Sequence, residues 1–141
     1  MPNTLPVRSP LFKYPLALVT VALSAAMAHA ADKTQIVKFQ PGKSSTVITD
    51  SIKGYDLNIY QLAARAGQML SVTFKPSNES CYYNIDGVVG RRFLFNGTMD
   101  TGDYSGALPN DGDYQIKVYQ MRNAARRDER CTFSLSLEIR N

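Results

Sequence analysis

Four arginines crowd one short stretch near the end of this chain. The stretch reads VYQMRNAARRDERCTF, and the arginines fall between Arg122 and Arg130. Arginine carries a planar fork of N–H donors that grips a carboxylate or a phosphate at two points, which lysine does not do. If the stretch is helical, Arg122, Arg126 and Arg130 share one face, where like charges repel. The pattern indicates an anion-binding loop; the alternative is a solvated connector whose acidic neighbours offset the repulsion.

An exposed aromatic side chain would add a second kind of contact. Tyr55 lies in GYD, at a predicted loop tip beside Gly54, and an aromatic residue in such a place is typical of an anchor that fills a pocket in a partner. Six further tyrosines follow in the chain, and their alternating strand positions favour packing in the core or on a sheet face. The alternative is that their stacked faces bind sugar rings or bases. These six are Tyr60, Tyr82, Tyr83, Tyr104, Tyr114 and Tyr119.

Four aspartates lie close together in the sequence: Asp100, Asp103, Asp111 and Asp113. The segment NDGD resembles part of a calcium-binding loop, because carboxylates and glycine at this spacing can surround a hard cation. The full ligand pattern of such a loop and its terminal glutamate are missing. LPNDGDY therefore predicts a hairpin turn, in which Asn, Asp and Gly tolerate positive φ, and no metal site is predicted.

The beginning of the chain has the pattern of a secretory signal peptide. Arg8 and Lys13 give a basic start, the run Leu16–Ala28 is uncharged, and Ala28-His29-Ala30 has the small residues of a cleavage site. The run is too short for a membrane-spanning helix. No cysteine at the cleavage site could carry a lipid, so we predict cleavage after Ala30 and no membrane anchor.

Cleavage divides the chain into a signal peptide, 1–30, and one domain, 31–141, which keeps 111 of the 141 residues. Two of the 16 basic residues and none of the 12 acidic ones leave, so the net charge falls from +4 to +2. Such a weakly charged secreted domain is a poor candidate for binding nucleic acid. The only histidine, His29, leaves as well, which excludes Ser-His-Asp and Cys-His nucleophiles and histidine-ligated metals. We predict no enzyme activity, no cofactor and no small-molecule substrate.

Two cysteines remain, Cys81 and Cys131. In an oxidising compartment an isolated pair predicts a disulfide. Closing a loop of this length would stabilise the fold by about 4 kcal/mol in the chain-entropy account. A redox-active thiol is the alternative, but the C-x-x-C spacing typical of one is missing.

The domain alternates between apolar and polar residues almost throughout, which is typical of strands buried on one face. In QMLSVTFKP, for example, Leu70, Val72 and Phe74 face one way. Eight or nine short strands separated by Gly, Pro, Asn and Asp predict an all-β fold, an antiparallel sandwich or jelly roll. RNAARR is the one segment with a helical pattern. The predicted strands span 35–39, 45–52, 56–65, 68–76, 81–86, 92–97, 104–108, 113–120 and 131–140.

Several segments resemble the periplasmic inhibitors of goose-type (g-type) lysozyme, above all MRNAARRDE at 121–129. The core and turn segments also resemble the broader pre-peptidase C-terminal β-sandwich family, so they identify a fold more than a function. The other segments that carry the resemblance are GYD, AGQMLSVTF, CYYNI, FNG and GALPNDGDYQIKVY.

The resemblance implies a non-catalytic β-sandwich in a Gram-negative periplasm that binds g-type lysozyme. Inhibitors of this family insert two loop regions into the active-site cleft of the lysozyme. By this resemblance Tyr55 lies on one region, and Arg122 and Arg126 lie on the other, with Asn123 and Arg127 assigned as partner-binding by adjacency. The alternative function is a secreted module that binds cell-envelope glycans or anionic surface groups.

Overall fold

The computed structural model describes residues 30–88, 93–100 and 102–141. These residues form nine strands and one short helix, and the strands make two facing sheets. The predicted all-β sandwich and its single helical segment are confirmed. The strands are β1 (Asp32–Ile36), β2 (Ser45–Lys53), β3 (Leu57–Ala64), β4 (Met69–Pro76), β5 (Cys81–Asp86), β6 (Phe93–Asn96), β7 (Tyr104–Ala107), β8 (Gly112–Gln120) and β9 (Arg130–Arg140), and the helix is α1 (Arg122–Arg126).

The five-stranded sheet has the order β1-β3-β8-β5-β6, and the four-stranded sheet has the order β2-β9-β4-β7. Every pair of neighbours is antiparallel except β1 and β3, which run parallel. The prediction was wrong at this edge. It placed the first strand at 35–39, whereas β1 begins at Asp32, because its pairing with β3 and not an apolar alternation defines it: all five of its residues are exposed.

The core lies between the sheets, where alternate residues of each strand point inward. Along β8, Tyr114, Ile116 and Val118 are fully buried, and the residues between them are half-buried. Phe74 and Tyr83 meet from opposite sheets with 5.1 Å between their ring centroids. The predicted packing of tyrosines within the sheets is confirmed, since Tyr60, Tyr83 and Tyr114 are buried and Tyr82, Tyr104 and Tyr119 are half-buried.

Three connections cross from one sheet to the other at the same end of the sandwich. They are the β2–β3 turn (54–56), the β4–β5 turn (77–80) and the β8–β9 connection (121–129), and together we call them the loop end. Backbone hydrogen bonds join them, from Met121 N to Ser80 O (2.8 Å) and from Gly54 N to Glu129 O (3.0 Å). The turn between β3 and β4 and the connection between β7 and β8 lie at the opposite end.

The predicted disulfide is confirmed and closes the base of the loop end. Cys81 begins β5, and Cys131 lies near the start of β9, so the bond joins the two sheets with 6.3 Å between the Cα atoms. Both residues are buried, and Cys81 is the direct cross-strand partner of Gln120, the last residue of β8. The disulfide therefore ties β9, which leaves the β8–β9 connection, to β5, which pairs with the end of β8 where the connection begins.

LPNDGDY is not the hairpin turn that we predicted. It links β7 to β8, which lie in different sheets, so it is a connection between the sheets. Tyr114 fixes it, because its hydroxyl donates to Asn110 O (2.6 Å) and accepts from Asn110 N (3.1 Å). A buried tyrosine that bonds back to the backbone of the preceding connection is the tyrosine corner of β-sandwiches. Gly112 has a φ of 137°, so the predicted positive φ at this glycine is confirmed.

A polar cluster joins the sheets beside β1. Asp50 on β2 accepts hydrogen bonds from Lys33 Nζ (2.6 Å), Tyr60 Oη (2.9 Å) and the buried Asn58 Nδ2 (3.2 Å), and its second oxygen accepts from Ser51 N (2.8 Å). Burial works to raise the pKa of Asp50. The hydrogen bonds from Lys33, the Ser51 amide and Tyr60 outweigh it and hold that pKa below its ordinary value of 3.8.

Residues 1–29 of the predicted signal peptide lie outside the described residues, as does the first residue of the strand predicted at 92–97. Within the described ranges, no helix has the length and apolar character needed to cross a bilayer.

Replacing Tyr114 with Phe should destabilise the fold by about 1–2 kcal/mol, because the Asn110 peptide groups lose both of their hydrogen bonds to the hydroxyl. Denaturant unfolding would measure the loss. Tyr55→Phe is the matched control, since the Tyr55 hydroxyl makes no hydrogen bond within the described part of the chain, and it should leave stability unchanged. Equal stability of the two variants would contradict the tyrosine corner.

The Asp50 cluster should make stability depend on pH. Because the pKa of Asp50 is lowered on folding, its contribution is complete above the ordinary value of 3.8 and is lost as the pH falls through the folded pKa. Asp50→Asn does not titrate, so the difference in unfolding free energy between the wild type and this variant should shrink on acidification. Urea unfolding from about pH 6 to about pH 2 measures it. A difference that stays constant would show that Asp50 ionisation does not stabilise the fold.

Candidate functional site

The structure brings the two predicted contact regions together. The β2–β9 ladder ends at the pair Lys53 and Arg130, and the hydrogen bond from Gly54 N to Glu129 O continues it into both connections. The turn that carries Tyr55 therefore lies against the end of the connection that carries the arginines. Sequence alone placed these regions far apart, and the antiparallel pairing of β2 with β9 makes them neighbours.

Asp56 holds the turn that presents Tyr55. One of its carboxylate oxygens accepts from Lys53 N (3.1 Å), and the other accepts from Ala31 N (3.0 Å), immediately before β1. Gly54 adopts a φ of 58°, which glycine reaches without the steric cost of a Cβ atom. Tyr55 is 56% exposed. By contrast, the aromatic residues of the strands that enter and leave the loop end are buried or half-buried. The predicted exposure of Tyr55 at a loop tip is confirmed.

Helix α1 separates its alanines from its arginines. Ala124 and Ala125 are buried against the sandwich, and Arg122, Asn123 and Arg126 are exposed. Because the alanine side chains are small, the helix packs closely on the turn that carries Tyr55. A Cβ atom at Gly54 would lie 3.5 Å from Ala125 O, in van der Waals contact. Burial of the two alanines leaves the arginines no direction except outward. The segment is helical although its first turn has no acidic residue and no side-chain cap.

The helix ends in a Schellman motif. Asp128 N donates to Ala125 O (3.1 Å), and Glu129 N donates to Ala124 O (3.2 Å). Asp128 takes the left-handed conformation that this motif requires, with a φ of 52°. The chain then turns directly into β9, so Arg130 lies on a strand. The prediction that Arg122, Arg126 and Arg130 share one helical face was therefore wrong for Arg130. Only Arg122 and Arg126 share such a face.

The arginines of the connection differ in what they contact. Arg127 Nε donates to Glu129 Oε1 (2.7 Å), and Arg130 Nη1 donates to Ser51 Oγ (3.3 Å). Arg122 and Arg126 form no ion pair with any acidic residue that the structure describes. The acidic neighbours thus offset the charge of Arg127 alone, and among the described residues nothing accepts a hydrogen bond from the guanidinium groups of Arg122 and Arg126, which leaves their donors for another molecule.

Two further residues at or beside the loop end were not predicted from the sequence. Gln120 is only 7% exposed, and its side-chain amide contacts both the Tyr55 turn and the arginine connection. The signal was present, because Gln120 continues the inward-facing series of Tyr114, Ile116 and Val118 with a polar residue. Met121 precedes α1 and is 41% exposed, which adds apolar surface next to Arg122.

The four aspartates do not gather around a common point. Each accepts a separate hydrogen bond, and in the described ranges no group of three or more acidic, cysteine or histidine residues could hold a metal ion. Their donors are Asn96 N for Asp100, Thr73 Oγ1 for Asp103, Ala66 N for Asp111 and Gln61 Nε2 for Asp113. These contacts fix turns and strand edges.

Comparison with known proteins gives the family. No protein-family model matches the chain. The fold is similar to crystal structures of PliG, a periplasmic inhibitor of g-type lysozyme, from two bacteria. The Aeromonas hydrophila structure is 33% identical with a TM-score of 0.71, and the match covers 79% of this chain and all of that one. The Salmonella Typhimurium structure is 33% identical with a TM-score of 0.58, and the match covers 77% of this chain and 98% of that one.

In sequence, the chain is 31% identical over 127 residues to the inhibitor of g-type lysozyme from Escherichia coli K12, which covers 88% of this chain and 94% of the relative. The molecule is thus a β-sandwich that presents an exposed tyrosine and two exposed arginines on adjoining connections. It belongs to the family of g-type lysozyme inhibitors.

Gly54→Ala should destabilise the protein more than Gly42→Ala, where the left-handed φ is the only unfavourable feature for alanine. The left-handed φ costs about 1–2 kcal/mol for alanine, and the new Cβ would lie 2.7 Å from Asp128 Oδ1, which must move. Gly42→Ala is the matched control, with a φ of 75° and nothing within 4 Å of its Cβ. Thermal and urea unfolding would compare the two, and equal losses would show that the Asp128 side chain moves aside without cost.

Proposed function

We propose that this chain is a periplasmic inhibitor of g-type lysozyme and that its loop end enters the active-site cleft of the enzyme. Tyr55 fills one part of the cleft from the β2–β3 turn, and Arg122 and Arg126 reach acidic groups from α1. Asn123 and Arg127 flank these contacts. In this proposal the domain 31–141 follows a signal peptide, 1–30, that directs it to the periplasm, and it binds the enzyme without catalysing a reaction itself.

One observation supports the arginines most directly: Arg122 and Arg126 are exposed on a helix whose two alanines are buried, and neither pairs with an acidic residue in the described ranges. A lysozyme cleaves its substrate with carboxyl groups, and the general acid is a carboxyl kept partly protonated by its surroundings. A guanidinium that reaches such a carboxyl forms a charge-assisted hydrogen bond where water is excluded. The same side chain would occupy space that sugar rings need.

The tyrosine and the methionine give the surface its apolar part. Tyr55 and Met121 are exposed at the loop end, on either side of the contact between the two connections. Exposed aromatic anchors and arginines dominate binding energy at protein interfaces. The apolar area of Tyr55 and Met121 adds affinity without a charge that must be desolvated. A loop end with this composition suits a concave cleft that holds carboxyl groups.

Arg122→Ala and Arg126→Ala should each weaken binding to a g-type lysozyme by about 2–4 kcal/mol, the range for buried arginines at interfaces. Arg→Lys at either position should lose much of the same affinity, because an ammonium cannot form the two-point contact. Titration calorimetry with a purified g-type lysozyme measures the affinity, and clearing of a cell-wall suspension by the enzyme reports inhibition.

Arg65→Ala is the control for this series. Arg65 is exposed and lies in the β3–β4 turn, at the far end of β3 from Tyr55, so its removal changes the charge equally without touching the loop end. Its affinity should equal that of the wild type. The assignment of the arginines is wrong if the Arg122 and Arg126 variants, alone and combined, also bind as the wild type does.

A further inference from the structure

The amide of Gln120 joins three separate segments of the loop end. Its Nε2 donates to Glu129 O (2.6 Å) at the end of the arginine connection and to Gly54 O (3.3 Å) in the Tyr55 turn. Its Oε1 accepts from Asn78 Nδ2 (3.4 Å) in the β4–β5 turn. A primary amide has two N–H donors, so both are used on the two connections proposed to enter the cleft.

These bonds restrain Gly54 on both sides. Gly54 N donates to Glu129 O, and Gly54 O accepts from Gln120, so both peptide groups that flank the glycine are held. The carbonyl of Gly54 belongs to the peptide that leads into Tyr55, and its orientation sets the direction in which Tyr55 leaves the turn. Glycine is the residue with the most backbone freedom, so this restraint matters more here than at another residue.

The disulfide cannot replace this contact. Cys81 lies across the ladder from Gln120 and binds Cys131, so it fixes the strand ends below the connections. It makes no hydrogen bond to Gly54 or Tyr55. Gln120 therefore carries a restraint from β8 into the Tyr55 turn, in addition to the bonds that Asp56 accepts from Lys53 N and Ala31 N.

We propose that Gln120 is a positioning residue for lysozyme binding. Its buried amide sets the arrangement of the Tyr55 turn and the arginine connection before the enzyme arrives, so that little conformational freedom is lost on association. The expected effect on affinity rests on the proposed function. The restraint on Gly54 is a property of the free protein and does not depend on that function. The two parts can therefore be tested separately.

Gln120→Met tests the inference, because methionine has similar length and no hydrogen-bonding amide. Ile116→Val is the matched control: Ile116 is fully buried on the same strand, and its substitution also destabilises the core but touches no connection of the loop end. In the free protein, amide exchange at Gly54 measured by NMR should accelerate in Gln120→Met relative to Ile116→Val. Affinity for a g-type lysozyme, measured where both variants are fully folded, should fall about ten-fold in Gln120→Met and less than about two-fold in Ile116→Val.

A combined variant separates positioning from general stability. If Gln120 acts through the Tyr55 turn, Gln120→Met should cost little further affinity in a Tyr55→Ala background, where nothing remains to be positioned. A purely structural role would give the same fold-loss in both backgrounds. Should Gln120→Met fail to fold, Asn78→Ala provides a comparison in the same direction. It removes the half-buried donor to Gln120 Oε1 together with the bonds of Asn78 to Arg130 O and Ser80 N, and it should weaken binding by about two- to three-fold only while Tyr55 is present.

The outcomes distinguish the two claims. Faster exchange at Gly54 together with weaker, Tyr55-dependent binding supports positioning by Gln120. Unchanged exchange, or binding as tight as in Ile116→Val, overturns it even if the protein is less stable. If the wild type itself does not bind the lysozyme, the proposed function fails, and the exchange data alone decide whether Gln120 orders the loop end.

Discussion

The close approach of two backbones at Gly54 is the constraint on which the loop end depends. Helix α1 faces the sandwich with two buried alanines, and Gly54 leaves room for the Asp128 side chain, whose Oδ1 would lie 2.7 Å from a Cβ atom at this position. The hydrogen bond from Gly54 N to Glu129 O then joins the turn to the connection. A larger residue at Gly54 would have to displace the Asp128 side chain, and a larger residue at the buried Ala125 would have to displace the helix from the sandwich.

The rest of the fold makes this contact rigid. Three connections cross between the sheets at one end, and the disulfide ties the strands at their base. A short helix of five residues would not persist alone in water, so its shape comes from tertiary packing and from the Schellman motif that ends it. The consequence for binding is that the exposed side chains start from a fixed backbone. Affinity is then limited less by the cost of ordering loops than by the fit of the side chains themselves.

Much of the fold followed from the sequence, because one-sided burial leaves a period-two pattern in nearly every strand. The bounds of β2, β4, β5 and β9 agree with the predicted spans to within one residue at either end. β1 was misplaced, since all its residues are exposed and only its pairing with β3 defines it. LPNDGDY has the composition of a hairpin turn, and local composition does not reveal whether the next strand pairs in the same sheet or in the other one.

The sequence named residues of the candidate site, but it did not predict how they are arranged. Exposure of Tyr55 followed from the neighbouring glycine, and the arginines were visible as a cluster. Arg127 pairs with Glu129 only two residues further along the chain, whereas the contact of Arg130 with Ser51 is a result of the β2–β9 register. Gln120 was readable only as a polar residue in an apolar series, and its three partners come from segments far apart in the sequence.

The structure of this protein bound to a g-type lysozyme tests the central claim most directly. The account predicts the loop end inside the active-site cleft, with Tyr55 packed against the cleft wall and the guanidinium of Arg122 or Arg126 within hydrogen-bonding distance of a carboxyl group of the enzyme. A complex in which these side chains face solvent while another surface of the sandwich contacts the lysozyme would contradict it.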